Sequence, residues 1–185
     1  PLQLCVAYSN LGIWHQHHKK YSEAIDYHTK SLDLAKSLQE SQRQAKTLSN
    51  LGLIYMEQGE FIKAEASFLQ SLAISEEQRS LRDESIALGN LAWAYMNNNR
   101  ADDALPYLNR KLALATQMND KLETIKALGN IGNIHTEKHE YTEALGCYRR
   151  ILTIKQELGN AQEIENTLKT ISETEALAAV EPSQG

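Results

Sequence analysis

A unit of 40 residues repeats through this chain without a slip. The segments that begin at Ser9, Ser49, Gly89 and Gly129 read SNLGIWH, SNLGLIY, GNLAWAY and GNIGNIH. They put Leu11, Leu51, Leu91 and Ile131 in one column and Gly12, Gly52, Ala92 and Gly132 in the next, and Ile171 and Ser172 continue both. A unit of this size cannot bury an apolar face alone, so the chain has to stack its units side by side.

The columns also say what each unit is. Tyr8, Leu48, Leu88, Leu128 and Leu168 lie three residues before the Leu column, and His15, Tyr55, Tyr95 and His135 lie four after it, which is one face of a helix. Ala24, Ala64, Ala104 and Ala144 follow, then Leu32, Leu72, Leu112 and Leu152 eight residues on, which is the stripe of a second helix. Gly or Ala facing Ala is expected to let the two helices approach, with His28, Phe68, Leu108 and Tyr148 filling the space beside them. Three prolines and nine glycines leave little room for hairpin turns, while strong helix formers dominate, so the expected fold is all-α. Pro106 is expected in the first turn of its helix, where its missing amide would have had no partner.

The Leu-Gly pair, an aromatic three residues after the Gly and an Ala twelve after it make the chain resemble the tetratricopeptide repeat family over nearly its whole length. The usual unit has about 34 residues, so these hairpins are longer. In that they resemble the repeats of kinesin light chains, Pins-type adaptors, bacterial Rap-type regulators and the sensor arms of some signalling ATPases and caspase-like proteases. His15 and His135 stand where Tyr is common, Ala92 replaces Gly, and the frequent closing Pro is absent. The resemblance implies a right-handed α-solenoid of antiparallel helix hairpins. Ser80, Asp120 and Asn160, each with an acidic residue three positions on, read as N-caps, and Gly59 and Asn99 as turns within hairpins. The expected hairpins are 1–40, 41–80, 81–120 and 121–160, with a fifth leading helix at 161–178, a repeat array over 1–178 and a flexible tail at 179–185.

Composition excludes several function classes. With 42% hydrophobic and 23% charged residues the chain is that of an ordinary soluble protein. No apolar run approaches the roughly 20 residues of a bilayer helix, and the opening residues lack the charged region and cleavage site of a signal peptide, so the expectation is cytoplasmic with no membrane partner. Cys5 and Cys147 are widely separated and lack zinc-ligand spacing, so both are expected as reduced packing residues. A formal charge of -5, with no basic cluster larger than pairs such as Lys19-Lys20 and Arg149-Arg150, argues against nucleic acid.

One face of each first helix is left over by the core. At 100° per residue it holds positions 46, 50, 53 and 57 and their equivalents. It reads Val6-Asn10-Ile13-His17, Lys46-Asn50-Leu53-Glu57, Ile86-Asn90-Trp93-Asn97 and Lys126-Asn130-Asn133-Glu137, with Asn166, Thr170 and Glu173 on the fifth helix. In a solenoid of this kind these columns line one groove. Asn recurs at 10, 50, 90 and 130 although it is a mediocre residue in a helix interior. Its amide matches both hydrogen-bonding groups of a peptide unit. With first helices about 10 Å apart, one Asn would meet roughly every third residue of an extended chain. The candidate peptide-binding residues are therefore Asn10, Asn50, Asn90, Asn130 and Asn133, with Lys46, Leu53, Trp93 and Lys126 choosing side chains. In the long-repeat adaptors, Asn at the matching place is used this way. A second reading has these Asn side chains bonding to the adjacent helix or to water, and Trp93 packing on a neighbouring helix.

No chemistry-bearing constellation accompanies this face. His15, His17, His18 and His28 invite a metal hypothesis, but His15 occupies the core column and points away from His17. There is no Gly-rich phosphate loop, nucleophile elbow or zinc motif, so no catalytic residue, cofactor or metal is expected. The expected function is a scaffold that binds an extended peptide or protein segment. The alternative is the sensor or regulatory arm of a larger signalling enzyme, an ATPase, phosphatase or protease. Leu2, Leu4 and Val6 open the first helix without a polar cap, which motivates that alternative and the expectation of self-association through residues 2–18.

Overall fold

The computed structural model describes residues 1–180, and these form nine α-helices and no strands. The helices are α1 (Leu2–His17), α2 (Tyr21–Ser37), α3 (Ser41–Glu57), α4 (Phe61–Glu77), α5 (Leu81–Asn97), α6 (Ala101–Gln117), α7 (Lys121–Glu137), α8 (Tyr141–Leu158) and α9 (Ala161–Val180). Of the expected tail, residues 179 and 180 belong to α9, and 181–185 lie outside the described residues. The chain divides into two compact units. In the first, residues 1–100, each of α1 to α4 packs on the next, and the odd-numbered helices also touch, α1 on α3 and α3 on α5. In the second, from residue 101, α6 packs on α7, α7 on α8 and α8 on α9.

The turns explain the strict period. Lys19, Gln39, Gly59, Arg79, Asn99, Asn119, His139 and Gly159 all have positive φ, one every 20 residues. In the first seven the amide of the next residue reaches back five positions, as in Lys20 to the His15 carbonyl at 2.9 Å and Glu60 to the Tyr55 carbonyl at 2.8 Å, which closes a Schellman motif. Only Gly59 among those seven is spared the Cβ penalty of the left-handed region. Arg79→Gly and Gln39→Gly together are therefore expected to stabilise the first unit by about 1–2 kcal/mol, read as a raised melting temperature. The N-caps at Ser80, Asp120 and Asn160 accept the amides of Asp83, Glu123 and Glu163 at 3.5, 3.0 and 3.3 Å.

The core follows the columns, with three corrections. Ala24, Ala64, Ala104 and Ala144 are fully buried, and Leu48, Leu51, Leu88, Leu91, Leu128, Ile131 and Ile171 are buried as expected. The small column, however, does not face Ala. A Cβ placed on Gly12, Gly52 or Gly132 would collide with the ring of His28, Phe68 or Tyr148 respectively, so the glycine makes room for a ring lying across the helix backbone. Second, Leu11 and Leu168 are exposed, because no described helix covers that side of α1 or follows α9. Third, Pro106 is the sixth residue of α6, and the amide it lacks would have bonded to the Asp102 carbonyl.

Candidate functional site

In the first unit the left-over faces of α3 and α5 border a cleft of about 560 Å3. Its lining includes Lys46, Asn50 and Leu53 from α3 and Ile86 and Asn90 from α5. Two of the predicted residues of this unit stay outside it. Asn10 is exposed on α1, and Trp93, 43% exposed on α5, does not line the cleft. Sequence reasoning missed Arg43, Ser49 and Asp83, which also line it. Arg43 lies one turn before Lys46 on the same face, so extending the face toward the helix start would have found it. Ser49 belongs to the small column of Ser9, Gly89 and Gly129, which the sequence reading did not use, and its Oγ sits 2.9 Å from that of Ser71.

Charge in the cleft is mostly committed. Arg43 lies 3.9 Å from Glu40, and Asp83 accepts from Ser80 Oγ at 2.7 Å and from Gln42 Nε2 at 3.3 Å. Lys46 is exposed and has no ion-pair partner among the described residues. Asn50 and Asn90 are half-buried. The Asn50 amide nitrogen is buried without an acceptor, an arrangement that ordinarily costs about 1–3 kcal/mol.

The second unit carries the same columns on α7 in a different state. Asn130 is half-buried there, while Asn133 is exposed and accepts from the Tyr148 hydroxyl at 2.9 Å. Lys126 Nζ lies 2.6 Å from Glu123 Oε1, a hydrogen bond that raises the lysine above its ordinary value. Burial pushes the Glu123 carboxyl up, yet hydrogen bonds from Lys111 and Lys126 hold it below the ordinary range. Among the described residues the side chains of Asn10, Asn50, Asn90 and Asn130 make no hydrogen bond to a neighbouring helix.

The histidines do not converge. His15 stacks on Tyr27 with ring centroids 5.1 Å apart, His18 stacks on Trp14 at 4.0 Å, and His28 is fully buried beneath Gly12. Both cysteines are free. Cys5 is buried with its Sγ 3.3 Å from the Ser31 carbonyl, and burial raises the thiol of half-buried Cys147. No helix of the described residues is long and apolar enough to cross a membrane.

Models of the tetratricopeptide repeat match residues 4–38, 43–117 and 83–157. No curated protein matches the chain by sequence. Among solved structures it is similar to BtubC from P. vanneervenii, with a TM-score of 0.81 and 19% identity over 93% of this chain and 72% of that one. A signal transduction ATPase with numerous domains and a tetratricopeptide repeat sensor, from Pyrococcus horikoshii, gives a TM-score of 0.81 and 13% identity over 94% of this chain and 27% of that one. A Rap protein complexed with competence and sporulation factor gives 0.65 and 18% over 90% and 47%. The chain thus spans about a quarter of the ATPase and just under half of the Rap protein. At these identities the likeness is one of fold, an all-helical solenoid of helix hairpins, and the matched repeats settle the family: this chain belongs to the tetratricopeptide repeat family.

Proposed function

We propose that this chain is a protein-binding scaffold and that the cleft between α3 and α5 holds an extended segment of a partner polypeptide. The observation that carries this reading is the unpaired Asn50 amide beside an open cleft that also holds Asn90, unpaired Lys46 and the apolar Leu53 and Ile86. Turning the Asn50 amide over about its last torsion replaces a buried, unmet donor with bonds to a ligand backbone. Asn10 and Trp93 on the same faces extend the surface in the first unit, and Asn130, Asn133 and Lys126 offer its equivalents in the second. The Rap protein that is similar in fold is complexed with a factor, which agrees with a partner-binding role. The scaffold acts in the cytoplasm as an adaptor without catalysis of its own. Copies of the chain associate weakly through the exposed residues of α1.

The likeness to the sensor-bearing ATPase favours a second reading, in which the same surface belongs to the sensor arm of a larger signalling enzyme.

Replacing both Asn50 and Asn90 by Ala tests the cleft. Ala is the better helix former, so the melting temperature should hold or rise. Affinity for a partner recovered with the wild-type chain should fall roughly tenfold, the worth of about two net hydrogen bonds. Calorimetry on both proteins reads the difference. Unchanged affinity would place the ligand elsewhere.

A further inference from the structure

On each second helix, α2, α4, α6 and α8, the positions equivalent to 62, 66, 69 and 73 are exposed. In α4 they hold Ile62, Ala66, Leu69 and Ala73, with Ile62 85% and Leu69 41% exposed. The column of Ile62 reads Ser22, Asp102 and Thr142 in the other repeats, and that of Leu69 reads Thr29, Asn109 and Arg149. Helix α4 is internal, packed on α3 before it and on α5 after it, so this stripe is not the open end of a stack. Its spacing of four, three and four residues is that of a coiled-coil seam, with large and small side chains alternating.

The charges of α4 depart from the pattern as well. A helix favours acids in its first turn and bases in its last, and α2 follows this with Glu23 and Lys36, as α8 does with Glu143 and Lys155. In α4 the first turn has no acid and contains Lys63, while the last has no base and contains Glu76 and Glu77. Lys63 pairs with Glu60 just ahead of the helix, and its side chain is still 59% exposed. Glu77 is exposed and has no ion-pair partner among the described residues. This layout works against the dipole of α4 itself and suits a helix that runs the opposite way beside it.

The apolar stripe and the reversed charges coincide on one helix, and from them we infer that the outer face of α4 pairs with the same face of a second copy of this chain, the two helices antiparallel. The register that fits sets Ile62 on Ala73 of the second copy and Ala66 on its Leu69, so that each large side chain meets a small one. Helix side chains lean toward the N-terminus, so this register brings Lys63 of each copy and Glu77 of the other toward one another beside the first turn of α4. Every contact is made twice about a two-fold axis, which closes the assembly at two copies. Ser71, the residue that α4 contributes to the cleft, lies on the opposite side of the helix, so pairing leaves both clefts open. The surface is also distinct from the exposed residues of α1.

Sedimentation velocity over a concentration series tests the pairing, on the full chain carrying Leu11→Glu so that α1 does not contribute. One face of one helix is smaller than the about 800 Å2 per partner of a standard interface, so a reversible monomer–dimer equilibrium is expected, with no larger species. Adding Ile62→Glu should weaken it at least about tenfold, because an isoleucine is lost from both halves of the interface. Circular dichroism checks the fold of each variant, and Leu69→Glu is the second change at the stripe. Lys63→Glu and Glu77→Lys should each weaken dimerisation several-fold, and combined in one chain they should restore it. Positions 63 and 77 are about 21 Å apart along α4, out of reach of one another within a copy, so restoration requires that they meet between copies. A chain that is monomeric at every concentration, a dimer indifferent to Ile62→Glu and Leu69→Glu, or exchanged charges that fail to restore pairing would each overturn the inference.

Discussion

Gly52→Leu is expected to destabilise the first unit by about 3 kcal/mol or more, at the upper end of overpacking costs. A Cβ at this position would lie within 2.7 Å of three carbons of the Phe68 ring, against about 3.5–4.0 Å for an unstrained carbon contact. Phe68 is fully buried and has no room to retreat. Gly52→Ala sets the same clash against the roughly 1 kcal/mol by which Ala outdoes Gly in a helix, so its net loss should be smaller. The remedy is written elsewhere in the chain, where the equivalent positions 92 and 108 carry Ala and Leu. Gly52→Ala combined with Phe68→Leu should therefore be more stable than the sum of the single losses predicts, by about 1 kcal/mol or more. Chemical denaturation of the four proteins reads this coupling. Additive losses would show that the ring and the glycine do not limit the approach of α3 and α4.

Acid should weaken the protein through His28. Its side chain is fully buried, neither ring nitrogen has a partner, and burial pushes the group down to about 4 from an ordinary 6.5. Between these values the unfolded chain binds a proton that the folded chain refuses. The contribution is fully present above pH 6.5 and is lost as the pH falls toward 4, by about 3 kcal/mol for a shift of this size. Phe68 stands at the equivalent position under Gly52, so Phe fits this geometry. His28→Phe should hold or raise stability at pH 7, because it removes two unmet polar atoms. It should also flatten the fall between pH 6.5 and 4. Urea midpoints at pH 7 and pH 4.5 measure both effects, and equal acid losses in the two proteins would mean that other groups cause them.

The 40-residue columns by themselves determined the helices, their ends and most of the core, because an apolar period of 3.6 interrupted at a fixed interval leaves few alternatives. Helix starts at 41, 81, 121 and 161 were legible in capping residues and in that interval. The turns were half legible. Gly59 and Asn99 advertise a left-handed residue, whereas Lys19, Gln39, Arg79 and His139 adopt it because the Schellman bonds and the packed helices on either side leave no other path. Periodicity also gave the outward face of the first helices, Asn10, Asn50, Asn90 and Asn130 included. Only the tertiary structure decided what each of those side chains meets. Lys46, Asn50, Leu53 and Asn90 line one cleft while Asn10 and Trp93 do not, and Lys126 is held by Glu123. A helical period assigns a residue to a face, but neighbours on that face come from other helices, and their distance is set by how closely the cores beneath them pack. The same reason left Leu11 in the core on sequence grounds and in solvent in the structure: a column predicts burial only where a second helix arrives to cover it.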